Sequence, residues 1–476
     1  MAPSPRDERL VDLLVAGVSL SLMALLLAMN LGRQGAPSDR PDPATVHAIE
    51  LRAVALDASL GLPASVKTAI GLDEEPLATR PGLLDELSRN LDLYSGHLGL
   101  RLVWISLAVG WHEDSAARKA IVALSTHPER KDLFQSELDD LTRLSNGLPA
   151  ENLDTLRDRL TALGASRWLL GLVSARHLDN ARDPTASSTS AELQAIATDV
   201  AHRQAIFFLI QVLLLLVGLI FAIAMPLFLR GGLARKGHVS DLAPTPFRPE
   251  RTTRVLLAWF VGYQLAGLLI FLTLGQGPRA SAYAMPLGGL ASGVIALALI
   301  ELWGRTPDTL RPLRLDFGLT RPTRPGPLGV LLWTIPAIGF CALLTWLFEL
   351  LNRDLLGIAP ETQSSLKLLL STGDPLTLGL IGLGAVIIAP LVEELLFRAY
   401  LFRNLRDRLG SGLAVVISGF IFAAVHAHPS LLLPLTGLGI ALALLYEWTG
   451  SIWVPIIAHA AWNLMTLITV EATWRI

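Results

Sequence analysis

Apolar runs of about 18 residues or more recur along this chain, and that recurrence is its strongest constraint. Nine such segments lie at roughly 11–31, 205–229, 254–274, 284–303, 327–352, 377–402, 411–427, 430–448 and 452–470. A helix rises about 1.5 Å per residue, so each segment is long enough, or nearly so, to cross about 30 Å of hydrocarbon. Only 17% of the 476 residues are charged, against about 25% in soluble domains. The sequence therefore predicts an all-α polytopic membrane protein with about nine transmembrane helices and a helical extracytoplasmic insert. A net charge of -2 gives no footing for a nucleic-acid partner. The single cysteine, Cys341, cannot form an intramolecular disulfide.

Within residues 1–31, the apolar segment 11–31 follows Arg6 and Arg9, is too long for a signal-peptide core and lacks a small-x-small cleavage pattern. It reads as an uncleaved signal anchor. Arg230, Arg235, Lys236, Arg248, Arg251 and Arg254 crowd one loop; Arg305, Arg311, Arg314, Arg321 and Arg324 crowd another; Arg403, Arg406 and Arg408 follow the sixth segment. The positive-inside rule places these in the cytoplasm. Residues 32–203 then form an extracytoplasmic all-α domain, 204–253 a transmembrane helix with a basic cytoplasmic loop, and 254–476 the membrane core.

Within the insert, Leu84, Leu87, Leu91 and Tyr94 share one helical face, as do Leu153, Leu156, Leu160 and Leu163. Ser145–Gly147 reads as a helix stop, Asp183–Ser190 as a flexible loop, and Thr189 with Glu192 as a capping box for the helix entering the second span. No metal spacing or nucleophile motif appears there. His112 with Glu113 lacks the second histidine of a zinc-binding helix.

The last four segments hold the chemistry. The stretch "APLVEELLFRAYLF" carries Glu393, Glu394 and Arg398 into an apolar run. A charge at mid-bilayer costs about 2.5–3.5 kcal/mol on insertion scales, so pairing is required. Glu394 and Arg398, four apart, share a helix face and can form an ion pair. "FIFAAVHAHP" places Phe422 and His426 four apart, and "VPIIAHAAWNLM" places His459 and Asn463 four apart. Each polar residue alone reads as interhelical glue; Glu, His, His and Asn on three of four consecutive spans read as a site. A carboxylate and an imidazole can activate a water, while a second His and an Asn can donate to an oxyanion. No serine or cysteine stands near a base; Ser411 and Ser418 read as packing residues.

"EELLFR", "FAAVH" and "HAAWN" resemble, in order, the three motifs of the CPBP or Abi family, which includes the type II CAAX prenyl endopeptidases and bacterial relatives. "LYEWTGSIWVPIIAH" resembles the family's closing hairpin and "DFGLTRP" a stretch ahead of its core. The match runs over roughly 250–470 and leaves the insert outside it. The resemblance implies an intramembrane endopeptidase of a bacterial inner (plasma) membrane, acting on a membrane-embedded or lipidated peptide or protein. It implies that Glu393 and His426 activate the water and that His459 and Asn463 form the oxyanion hole. Glu394, Arg398 and Phe422 then support the site. Cofactors stay open between none and zinc; a zinc ion would take Glu393, His426 and His459, with Glu394 as base.

Depth is the strained point of this reading. Glu393 lies about sixteen residues into its span and His459 about seven into its own, which agree, whereas His426 comes about fifteen residues in, nearer the outer face. Either the sixth and seventh spans tilt or the seventh starts below the membrane surface. Pro390 and Pro455 could kink their spans beside the site. Two other functions fit the same residues: a non-catalytic immunity or adaptor protein, and a proton-coupled transporter. The spans show no inverted repeat that would favour the transporter.

Overall fold

A computed structural model describes residues 43–60, 79–93, 98–125, 134–230, 245–275, 278–306, 312–319, 327–355 and 374–474. Every regular element among them is helical. The chain divides into two compact units, one of residues 36–208 with 469–476 and the other of residues 209–468 with 1–35.

The first unit contains α1 (Pro43–Leu60), α2 (Arg80–Leu93), α3 (Leu98–Gly110), α4 (Asp114–Ser125), α5 (Gln135–Ser145), α6 (Leu153–Ala162), α7 (Arg167–Asn180) and the start of α8 (Ala186–Arg230). Helix α3 is buried at every residue except Arg101. A helix apolar all round is either a membrane span or the centre of a core, and its 13 residues are too few to span. Around it pack the amphipathic faces read from the sequence, including Leu84, Leu87, Leu156, Leu160 and Leu163. Helix α5 ends at Ser145, with Gly147 at φ 74°, as the stop signal predicts. Ion pairs rim this core: Arg80 with Asp57 at 2.8 Å and Arg176 with Asp114 at 2.9 Å. Glu50 lies inside it, 1% exposed, and its carboxylate accepts the Ser166 N–H at 3.0 Å. Burial pushes that carboxyl up to about 7, although the Ser166 bonds pull the other way.

Two expectations at the end of this unit are overturned. Asp183–Ser190 is not a loop: α8 begins at Ala186. Thr189 is not a cap, since its hydroxyl bonds the Thr185 carbonyl one turn back. The start signal lies earlier, where the Asp183 carboxylate accepts from Thr185 N at 2.9 Å and Oγ1 at 2.7 Å, just ahead of the first turn. Those bonds hold the Asp183 carboxyl below the usual carboxylate range.

The second unit contains the rest of α8, then α9 (Thr252–Leu274), α10 (Pro278–Leu299), the short α11 (Leu313–Asp316), α12 (Pro327–Leu350), α13 (Pro375–Leu409), α14 (Ser411–Ala424), α15 (Leu432–Thr449) and α16 (Trp453–Trp474). Seven helices among the described residues are long and apolar enough to cross a membrane, making this a multi-pass integral membrane protein. The first of the nine expected segments lies outside the described residues. The seventh is corrected: α14 has 14 residues, short of a full crossing. Its apolar run is longer than its helix because the chain turns at Val425–His428 before the apolar composition ends. Between α15 and α16, Gly450 takes the left-handed conformation that closes the tight hairpin read from "TGS".

Candidate active site

Helix α13 carries the two glutamates, and its backbone is irregular on both sides of them. Leu383–Ile388 and Leu395–Phe402 are π-helical, with Ala389–Glu394 in ordinary α-register between them. Such one-turn departures gather at functional sites because they re-aim side chains and free carbonyls.

Glu394 is fully buried and Arg398 is 1% exposed. Arg398 Nη1 donates to Glu394 Oε1 at 2.9 Å, the ion pair that the spacing predicts. Its Nη2 donates to the Gly439 carbonyl at 3.1 Å. That bond exists because α14 and α15 cross at two glycines: a Cβ on Gly439 would come within 2.7 Å of the Gly419 Cα. The guanidinium also stands 4.5 Å from the centre of the Phe422 ring, a cation–π contact in a dry setting. Phe422, 1% exposed, meets both imidazoles edge to face, at 5.0 Å for His426 and 5.8 Å for His459. It is the ring around which the site is packed.

His459 lies between the two glutamates. Its Nδ1 donates to Glu394 Oε1 at 2.9 Å, while Nε2 is 4.0 Å from Glu393 Oε2. An ionised carboxylate only accepts, so Nδ1 carries the proton and Nε2 is the atom presented to Glu393. A gap of 4.0 Å between two polar atoms is the kind a water bridges. Glu393, unlike its neighbour, keeps 23% of its side chain exposed.

His426 is placed differently. It falls beyond the end of α14, on the turn, and its Nδ1 donates to the Phe422 carbonyl at 2.7 Å. It makes no hydrogen bond or ion pair with Glu393. The helix that carries Phe422 ends at Ala424, two residues before His426. The next residue, Ala427, has φ 53°, a conformation that costs a non-glycine residue energy and marks a turn held by its surroundings. One holding residue escaped the sequence reading. Asn352, fully buried at the end of α12, donates to the Ser430 carbonyl at 2.9 Å and so ties α12 to the segment after His426. Its signal was a polar residue beside Arg353 and Asp354, which reads as a helix end in water. Asn463, one turn after His459 on α16, donates from Nδ2 to the Ala385 carbonyl at 2.7 Å.

Among the described residues, no three His, Cys, Asp or Glu side chains are gathered into a ligand set. Each imidazole commits only its Nδ1, His459 to Glu394 and His426 to the Phe422 carbonyl, so it is the lack of a gathered third ligand that decides the fit. The donors do not fit a zinc centre as arranged, and no step is routed through a metal.

Residues 375–465 match the family model described as type II CAAX prenyl endopeptidase Rce1-like. This part of the chain resembles that family. The Rce1-like segment is narrower than the expected 250–470: it begins at the first residue of α13 and holds all seven residues named from the motifs. Over 82 residues, 17% of its length, the chain is 40% identical to a Bacillus subtilis protein, YdiL, named as a membrane peptidase. Over 83 residues, 16% of the chain, it is 34% identical to the membrane-embedded CAAX protease MroQ of Staphylococcus aureus. The match covers 34% of the length of each relative. No solved structure matches the chain.

Proposed function

We propose that the Rce1-like segment is an intramembrane endopeptidase that hydrolyses a peptide bond of a membrane-associated substrate. The observation that carries the reading is His459 set between Glu394 at 2.9 Å and Glu393 at 4.0 Å. Glu393, the less buried glutamate, is the base: it takes a proton from a water, whose oxygen attacks the scissile carbonyl. His426, with Nδ1–H bound to Phe422, has its Nε2 lone pair free to accept from and orient that water. The tetrahedral oxyanion takes hydrogen bonds from the second N–H of Asn463 and from His459 Nε2. For Nε2 to donate, the ring must carry both protons, and Glu394 at Nδ1 stabilises that imidazolium. Collapse breaks the C–N bond, and the proton held by Glu393 passes to the leaving amine. Arg398, paired with Glu394 at 2.9 Å, holds that carboxylate in place beside His459. The likeness to a relative named a CAAX protease directs the substrate reading to membrane-embedded or lipidated peptides. The positive-inside distribution places the 32–203 insert outside the cytoplasm.

Hydrolysis of a membrane-peptide library by the purified protein, wild type against Glu393→Gln, tests the reading. Glu393→Gln is expected to lose about 10²–10⁴-fold in turnover while keeping its thermal midpoint. A Gln variant as active as wild type removes Glu393 as base, and a variant that unfolds points to glue rather than catalysis. Metal analysis of the same preparation adds a second check, since stoichiometric zinc required for turnover overturns the metal-independent route.

A further inference from the structure

We propose that Pro390 is a positioning residue for Asn463, acting through the main-chain carbonyl of Ala385. The proposal deepens the reading of Asn463 as an oxyanion donor and rests on it for its catalytic consequence.

The argument begins with the helix register. Across the π-helical stretch Leu383–Ile388 the pairing changes register: the Leu383 N–H still bonds the Gly379 carbonyl four residues back, whereas the Ala389 N–H goes to the Gly384 oxygen five back. In an ordinary α-helix that N–H would have served Ala385. In the π-register the donor due to Ala385 is residue 390, and proline has no N–H. Both main-chain donors within reach are therefore removed, one by the register and one by the residue type. A carbonyl in a membrane-spanning helix cannot be left to water, so it must find a side chain. Asn463 Nδ2 supplies the bond at 2.7 Å, across 78 positions of sequence.

Two things follow for the site. A carbonyl accepts and never donates, so the amide of Asn463 is forced to present its nitrogen to Ala385. Its orientation is set by chemistry, with one N–H committed and one left for an oxyanion. Furthermore, Glu393 lies three residues after Pro390 on the same helix, and His459 lies one turn before Asn463 on the other. One missing hydrogen therefore fixes the α13 segment that carries the base against the α16 segment that carries the oxyanion donors. A proline whose only effect was to bend α13 would not need Asn463.

The full-length protein carries the test in three forms at position 390: the native proline, Pro390→Ala, which restores the N–H, and lactic acid in place of Pro390, whose ester has neither ring nor N–H. Pro390→Ala is expected to lower kcat about ten-fold or more with KM changed less than about two-fold. The ester is expected to recover most of that loss, and in an Asn463→Ala background all three forms are expected to have the same kcat. A second readout needs no turnover: Asn463→Ala lowers the thermal midpoint when residue 390 is proline and leaves it unchanged when residue 390 is alanine. Wild-type kcat in Pro390→Ala, or an ester no better than alanine, overturns the proposal. Absence of thermal coupling overturns the transfer of the hydrogen bond to Asn463 whatever the activity. Thermal coupling in a protein whose wild type cleaves nothing overturns the peptidase reading, and the catalytic part of this proposal with it.

Discussion

The two units of this chain expose opposite things. Between residues 43 and 203, the large hydrophobic side chains exposed among the described residues are Val122 and Leu148, and ion pairs such as Arg80 with Asp57 sit at the rim of the core. From residue 206 onward the pattern reverses. Leucines, isoleucines and phenylalanines such as Leu269, Ile335 and Phe208 face outward, while Glu394, Arg398 and His459 are among the most buried groups. One alphabet serves two solvents. In water the apolar side chain gains by leaving the surface; in hydrocarbon it gains nothing by doing so, and the charged group is the one that must be enclosed and paired. Both interiors hold charged groups; the membrane unit's interior sets the Glu394–Arg398 pair against the His459 imidazole.

The largest test of that contrast is Arg398→Ala. It strands a carboxylate that no water reaches, and removing one partner of a buried pair costs about 3–5 kcal/mol. Thermal unfolding in detergent is expected to show the loss, with partial recovery in the Glu394→Gln/Arg398→Met double variant. An unchanged midpoint for Arg398→Ala would mean that the pair contributes nothing to the unit's stability.

A charge placed on each outer face sharpens the comparison. Ile335, 65% exposed near the middle of α12, faces the lipid of the proposed bilayer, whereas Leu148, 50% exposed, faces water. Ile335→Arg is expected to cost about 2.5–3.5 kcal/mol of insertion and Leu148→Arg about 0.5 kcal/mol or less. The fraction of each variant resisting alkaline extraction from membranes reads the difference. Equal behaviour would place Ile335 out of lipid.

A further effect belongs to the insert, which also buries carboxylates, Glu50, Asp57, Glu137 and Asp140 among them. Glu50 has a carboxyl raised from 4.5 to about 7 by burial. The folded unit binds that proton more tightly than the unfolded chain, so the associated stability is fully present below about pH 4.5 and is lost as pH rises through 7. The change amounts to roughly 3 kcal/mol. Amide hydrogen exchange in α1 and α7 at pH 5 and pH 8 should show weaker protection at the higher pH, and Glu50→Gln should flatten the dependence. Protection that rises with pH refutes the sign.

Much of this was legible in the linear sequence. The helical class follows from run length, and the bounds of most spans agree with the helices to a few residues, because apolar composition and membrane thickness are both counted along the chain. The Glu394–Arg398 pair follows from four-residue spacing. The misreadings have local causes: Asp183 outcompeted Thr189 as a start signal, and the apolar run of the seventh segment outlasted its helix. Asn352 was invisible because a polar residue at the end of an apolar run looks the same whether it meets water or a neighbouring loop.

By itself the sequence determined that the polypeptide lives in a bilayer, and it named seven residues, spread from Glu393 to Asn463, as the candidates for its chemistry. Only the tertiary structure decided how they are shared: which glutamate is sealed against Arg398 and which faces outward, that His459 lies between them, and that Asn463 answers a carbonyl left open by Pro390. The reason is that spacing constrains neighbours on one helix, whereas hydrogen bonds between helices depend on how those helices cross, and at α13 that crossing turns on a register change no periodicity reveals.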